Sequence, residues 1–151
     1  MRTVKLNIYE FFELKEVGKK EAIRNFSEIN TEDIEWWKSS IEDAARVGLT
    51  INNFNIQYEI DSYEWTMSCE ETAEAVLKAH CEEAFTNELA KAYMKSNKNE
   101  DMQDKFRGFI INQYGQMLKR EYDYQTSEFA IIESIERNGC EFLEDGKHYS
   151  D

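Results

Sequence analysis

The fold class follows from residues 49–77, which read LTINNFNIQYEIDSYEWTMSCEETAEAVL. The first part alternates apolar and polar residues, which is typical of a strand with one buried face. The alternation slips at Asn52-Asn53, as it does at a β-bulge, and the turn formers Asp61-Ser62 separate two runs. The pattern predicts a β-hairpin over residues 49–67, with one long bent strand as the alternative.

The same stretch continues into a helix. Ser68 to Glu71 has the S-x-x-E form of a capping box, in which Ser68 caps the helix and Glu71 reaches back to it. Ala73, Val76 and Leu77 follow at helical spacing. A hairpin followed directly by an amphipathic helix indicates an α+β fold.

Towards the N-terminus, residues 2–9 alternate apolar and polar side chains and predict a strand with one buried face. Residues 14–26 predict a helix, with Leu14, Val17, Ala22 and Phe26 near one face. A second helix is predicted to start at Asn30 or Thr31 and to end at Gly48.

Towards the C-terminus, whether the helix that begins at Ser68 runs unbroken to Met94 stays open. Residues 96–101 predict a loop, and a long helix is expected from Met102 to about Arg120. Thr126 or Ser127 can cap a last helix that Asn138-Gly139 ends, before a short strand or hairpin.

We therefore predict a single α+β domain over residues 1–151. Its small antiparallel sheet of three to five strands consists of the N-terminal strand and the 49–67 hairpin, with the C-terminal strand as a further candidate. The helices pack on one face of this sheet.

The charge favours a basic protein partner. The 31 acidic and 18 basic residues give a net charge of -13, and both halves of the chain are acidic. Binding to nucleic acid or to anionic membranes needs clustered Lys and Arg, so direct contact with either is disfavoured. Opposite charges steer encounter with a cationic protein, although acidity can also serve solubility alone.

A cytoplasmic location is the expectation from the cysteines. The chain has three widely spaced cysteines, Cys69, Cys81 and Cys140, whereas a disulfide framework usually has an even number. The first ten residues contain no apolar run of signal-peptide length, and no stretch approaches the ~20 apolar residues of a membrane span.

The sequence contains no strong catalytic or metal-binding motif. His80, Cys81 and Glu83 lie close together but lack the second ligand pair of a structural zinc site, so we expect no metal and no cofactor. No cysteine has an evident histidine partner for nucleophilic catalysis, and the six glycines form no phosphate-binding loop. We expect a protein that is not an enzyme.

Acidic and aromatic side chains remain as candidates for partner binding. Carboxylates crowd the helix start after Ser68, although helix starts favour negative charge in any protein. Trp36 and Trp37 are adjacent, so in a helix only one of them can face the core. The candidate partner-binding residues are Glu70, Glu71, Glu74, Trp36, Glu82 and Glu83.

Several segments together resemble a known family. They are the opening strand, Glu21-Ala22-Ile23, the Glu35-Trp36-Trp37 triplet, Glu42-Asp43-Ala44, Gly48-Leu49, SCEETAEAVL at residues 68–77 and REYDYQTSEFAIIESIERNGCEF at residues 120–142, closing on Glu144 to Lys147. The combination is similar to small acidic proteins encoded by bacteriophages and prophages, some of which are labelled antitoxin of a toxin–antitoxin system. The resemblance covers most of the chain, is weakest over residues 82–105 and brings no catalytic motif.

The resemblance implies an accessory protein that acts on host machinery, such as an anti-CRISPR or another anti-defence protein. The leading hypothesis is a non-enzymatic inhibitor that binds a host protein through its acidic surface, with carboxylates on successive helix turns acting as a phosphate mimic. The alternatives are an antitoxin that masks a basic toxin and a protein that sequesters a small nucleotide signal. The nucleotide pocket would use Trp36, Trp65 and Tyr124 with Arg46 or Arg120.

Overall fold

The computed structural model describes residues 3–150 and confirms the α+β class. Within these residues the chain divides into two compact units, the first made of residues 3–36 and 122–150 and the second of residues 37–121. The elements in chain order are β1 (Tyr9–Glu10), a 3-10 turn (Phe11–Glu13), α1 (Glu16–Asn25), α2 (Lys38–Arg46), β2 (Leu49–Phe54), β3 (Ile60–Trp65), α3 (Cys69–Ala79), α4 (Phe85–Lys95), α5 (Glu100–Gln125), α6 (Glu128–Arg137), β4 (Glu141–Phe142) and β5 (His148–Tyr149).

The predicted hairpin is confirmed in the second unit, where β2 and β3 pair antiparallel with Leu49 opposite Trp65. The register shifts on either side of Asn53, which confirms the bulge. The turn was predicted at the wrong place, because Asp61 and Ser62 lie inside β3. The chain reverses instead at Asn55, whose side-chain oxygen accepts the backbone N–H groups of Gln57 and Glu59.

The helix after the hairpin begins where its capping signal places it. Ser68 accepts the N–H of Glu71 and Glu71 accepts the N–H of Ser68, so the predicted capping box of α3 is confirmed. The helix that begins at Ser68 does not run unbroken to Met94. It breaks at His80, beyond which α4 is a separate helix. The long helix α5 begins at Glu100, two residues before the predicted start and inside the predicted loop, and it extends five residues beyond the predicted end at Arg120.

The helix predicted from Asn30 or Thr31 begins only at Lys38, so this start was wrong. Residues 26–33 form successive turns instead, and Asp33 has a positive φ of 58° that interrupts any helix. The Asn30 side chain does not cap a helix, because it donates to the carbonyl of Gln125 and accepts from Ser134 Oγ. The predicted end is confirmed by Gly48, which has a φ of 96°.

The first unit contains the three-stranded antiparallel sheet, in the order β1-β4-β5. The predicted opening strand was wrong over most of its length. Arg2 lies outside the described residues, only Tyr9–Glu10 belongs to the sheet, and Val4, Leu6 and Ile8 are 69%, 59% and 38% exposed. β1 has little to pair with, because its partner β4 is only two residues long.

The sheet composition therefore differs from the prediction of one sheet. β1 pairs with the C-terminal strand β4, while the hairpin forms a sheet of its own. The predicted final hairpin is confirmed by β4 and β5, and Ser127 caps α6 by accepting the N–H of Ala130. Val17 is 80% exposed, so its predicted place on the buried face of α1 was wrong.

Each unit has its own hydrophobic core. The core of the first unit joins Phe11, Leu14, Ala22, Ile135 and Phe142, with further buried or half-buried residues of the same unit around them. The core of the second unit forms where α2, the hairpin and helices α3 to α5 meet. Its buried members include Val47, Leu49, Val76, Ile110 and Tyr114.

Candidate functional site

The candidate acidic residues of α3 share its first two turns and are all exposed. Glu71 is held in the capping box, and the hydrogen bond from the Ser68 N–H lowers the pKa of the Glu71 carboxyl below its usual value. Glu70 lies 3.6 Å from Lys98 Nζ, in an ion pair. Glu74 forms no ion pair with any residue that the structure describes.

This row of carboxylates is short. Glu70 and Glu74 are one turn apart on the same face of α3, because residues four positions apart in a helix are neighbours. The next position on this face is Lys78, also exposed, so a cation follows the two carboxylates. The α3 face is therefore a small acidic patch and not an extended line of negative charge.

Glu82 and Glu83 belong to the exposed turn between α3 and α4. Glu82 pairs with Lys91 at 3.2 Å, whereas Glu83 has no ion pair within residues 3–150. The axial rise from Glu70 to Ala79, at the end of α3, is about 14 Å at 1.5 Å per residue. That distance exceeds the ~8 Å over which salt screens charges, so the candidate acids form two separate patches.

Trp36, the aromatic candidate, belongs to the first unit and is half-buried. Its ring meets Tyr122 edge to face, with the ring centroids 5.2 Å apart. The neighbouring Trp37 is also half-buried and stands at the N-cap of α2. Trp36 therefore packs within its own unit and keeps only part of its surface exposed.

The structure also forms a polar cluster that sequence reasoning missed. We call it the His80 network, and it consists of Asp43 on α2, His80 after α3, Thr86 on α4 and Tyr114 on α5. His80 Nδ1 lies 2.6 Å from Thr86 Oγ1, and His80 Nε2 lies 3.0 Å from Asp43 Oδ2. The Tyr114 hydroxyl donates to the same Asp43 oxygen at 2.7 Å.

Burial explains why these groups are hydrogen-bonded. The side chains of His80 and Asp43 are only 11% and 25% exposed, and Tyr114 is fully buried. Burial first, and then the hydrogen bond to Asp43 and its charge, raise the pKa of Tyr114, so its hydroxyl stays protonated and remains a donor. With its proton on Nε2, His80 donates to Asp43 and accepts from Thr86, so each polar group has a partner.

The order Thr86, His80, Asp43 matches a hydroxyl nucleophile, a base and an orienting carboxylate. Thr86 is only 6% exposed, however, and its hydroxyl is not open to a substrate. The network instead joins four helices of the second unit, and the Asn87 amide adds a hydrogen bond to the His80 carbonyl at 3.1 Å. We interpret it as a structural element.

Metal ligands do not converge in the described part of the chain. Within residues 3–150 no group of three or more His, Cys, Asp or Glu side chains could hold a metal ion. His80 and Glu83 do not share a helical face, because α3 ends before His80. The cysteines are free thiols, with Cys69 buried, Cys140 half-buried and Cys81 exposed.

The residues proposed for a nucleotide pocket are divided between the units. Trp36 and Tyr124 belong to the first unit, and Trp65, Arg46 and Arg120 belong to the second. Arg107 lies over the Trp65 ring, 5.0 Å from its centroid, and donates to the carbonyl of Met67 at 3.0 Å. A cation–π contact thus already uses one face of this ring.

Comparison with protein-family models, with curated proteins and with solved structures finds no match to this chain. The resemblance to phage-encoded acidic proteins therefore stays a prediction. None of the helices in residues 3–150 combines the length and apolar character that crossing a bilayer requires.

Proposed function

We propose that this chain is a non-enzymatic inhibitor that binds a cationic surface of another protein through the acidic patches at the two ends of α3. One observation carries the proposal. Each patch contains a carboxylate held in an ion pair and an exposed carboxylate, Glu74 or Glu83, that forms no ion pair with the described residues. A cationic partner can pair with these carboxylates without first breaking an internal ion pair.

The short row on α3 favours a localised basic patch over mimicry of a long phosphate backbone. Lys78 follows Glu70 and Glu74 on the same face, so a partner that grips many successive phosphates would meet a like charge there. The proposed partner therefore presents a few Lys or Arg side chains at each of two places, about 14 Å apart along α3.

The resemblance to phage-encoded proteins supports a host protein as the partner and the cytoplasm of the host cell as the location. A basic toxin made with this chain is the alternative partner, because it could use the same acidic patches. The two hypotheses differ in the origin of the partner, so affinity capture from host lysate and from cells that carry the neighbouring genes distinguishes them.

The test measures the affinity for the captured partner as a function of salt. Glu70→Lys with Glu74→Lys should weaken binding and slow association, because charge steers the encounter, and the wild-type affinity should fall steeply with salt. The matched control is Glu42→Lys with Glu64→Lys, which changes net charge equally at exposed positions outside the patches. Glu71 stays unchanged, because its loss would also weaken the cap.

Three outcomes would contradict the proposal. The first is an affinity that does not change with salt, and the second is an equal loss of affinity in the two double variants. The third is loss of binding in Trp36→Ala alone. The last result would favour an aromatic interface. A nucleotide that co-elutes with the protein would favour sequestration of a small signal instead.

A further inference from the structure

The first unit contains a groove between α1 and α6, which Phe11 and Phe12 of the 3-10 turn also line. We call it the α1–α6 groove. Its volume is about 470 Å³. Binding sites for small molecules span roughly 300–1,000 Å³, so the groove has room for one small ligand.

The floor of the groove is apolar. Ile23 of α1 and Ile132 of α6 are half-buried and face it, and Phe11 is buried beneath. Phe12 lies at its edge and is 63% exposed. A ligand with an apolar body would cover the Phe12 ring and both isoleucines.

Three cationic side chains line the rim of the groove in a strongly acidic protein. Lys19, Lys20 and Arg24 line it, although the chain has a net charge of -13. Lys19 Nζ lies 5.9 Å from the centroid of the Phe12 ring, and Arg24 pairs with Glu21 at 2.8 Å. Lys20 forms no ion pair with any described residue and can pair with a bound anion.

The charged side chains that line the groove limit which charge its ligand can carry. Glu16 and Glu128 also line the groove. Lys19 lies 3.9 Å from Glu16 and Arg24 is paired with Glu21, so Lys20 is the rim cation that has no ion pair with a described residue. A ligand with several negative charges would meet the carboxylates of Glu16 and Glu128 at close range. A ligand with one anionic group on an apolar body can pair with a cation at the rim and contact the apolar floor.

We propose that the α1–α6 groove binds a small organic monoanion with an apolar body, of the class of medium-chain carboxylates. The anionic group lies at Lys20 and Arg24, and the apolar body lies on Phe12, Ile23 and Ile132. This site is independent of the acidic patches on α3, which belong to the other unit.

The test uses dodecanoate below its critical micelle concentration, with binding to the full chain measured by calorimetry. We expect saturable binding of one dodecanoate per chain and an affinity at least about tenfold lower in Lys20→Glu with Arg24→Glu. The control Lys15→Glu with Lys147→Glu changes net charge equally at exposed positions outside the groove and should bind like the wild type. Dodecyltrimethylammonium, with the same tail and the opposite charge, should show no saturable binding.

A second measurement locates the ligand. In methyl NMR spectra, dodecanoate should shift the signals of Ile23 and Ile132 and leave those of Ile51 and Ile110, in the core of the other unit, unchanged. Absence of saturable binding, equal affinity in the two double variants, equal binding of the cationic amphiphile, or shifts confined to other residues would each overturn the proposal.

Discussion

The buried hydroxyl of Tyr114 holds Asp43 in the His80 network through a hydrogen bond of 2.7 Å. Tyr114→Phe would remove this donor and leave the partly buried carboxylate with one partner fewer. We expect the free energy of unfolding to fall by about 1–3 kcal/mol, the usual cost of an unsatisfied buried group. Denaturant unfolding measures it. Tyr63→Phe, at a residue 43% exposed, is the control, and equal effects at both tyrosines would contradict the structural role.

Glu71 makes stability depend on pH in a defined direction. Its pKa is lowered in the folded protein, so its ionised form contributes stability above the unfolded pKa, near the ordinary value of 4.5, and this contribution disappears as the pH falls through the folded pKa. Glu71→Gln, which keeps an acceptor without the charge, should be less stable than the wild type at neutral pH. In acid the two proteins should converge, and chemical denaturation across the pH range measures the difference. A difference that stays constant with pH would contradict this reading.

At the scale of the element, the structure agrees with the sequence where a signal is local. The Ser68 capping box predicts the start of α3, and the slip at Asn53 predicts the bulge, because both depend on neighbouring residues. The start of α2 was missed because Asn30 bonds instead to Gln125 and Ser134, about a hundred positions away. The turn at Asn55 was missed because Asp61-Ser62 is the stronger turn signal by composition alone.

Two glycine substitutions test the elements in opposite directions. Gly108→Ala lies inside α5, where an added Cβ meets no atom within 4 Å, and it should stabilise the protein by up to about 1 kcal/mol through helix propensity. Gly48→Ala should destabilise it by more than that amount, because its φ is 96° and its Cβ would lie 2.7 Å from Met67 Cβ. Thermal melting with helical circular dichroism measures both changes. The same sign for the two variants would contradict the geometry.

At the scale of the whole molecule, the α+β class was predictable but the arrangement of its sheets was not. The pairing of Tyr9 with Phe142 joins residues 133 positions apart. Alternation of apolar and polar residues can indicate a strand, but it does not identify such a distant partner strand. The residues of the candidate site could likewise be predicted only where they depend on local sequence. Exposure of Glu70 and Glu74 follows from helical spacing, whereas the His80 network depends on the packing of four elements and has no signature in the sequence.

The separate cores predict that the second unit folds alone. All the buried residues of its core lie between Ala44 and Tyr114, so a fragment of residues 37–121 retains the full core. We expect this fragment to keep helical circular dichroism and to melt cooperatively. A fragment of residues 3–36 should show neither property, because it lacks Ile135 and Phe142. A non-cooperative melt of the 37–121 fragment would contradict the prediction.

The division of the first unit between two distant segments has a consequence for protein synthesis. Ribosomes release the N-terminal segment first, but α1 and the residues before it cannot complete their core until α6 and β4 have emerged. The second unit is translated between them and can fold in the meantime. In the nascent chain, Leu14, Ala22 and Phe26 therefore stay exposed to solvent until about a hundred further codons have been translated. This takes roughly 5–20 s at typical rates. During that interval this segment is a substrate for chaperones that bind apolar nascent chains.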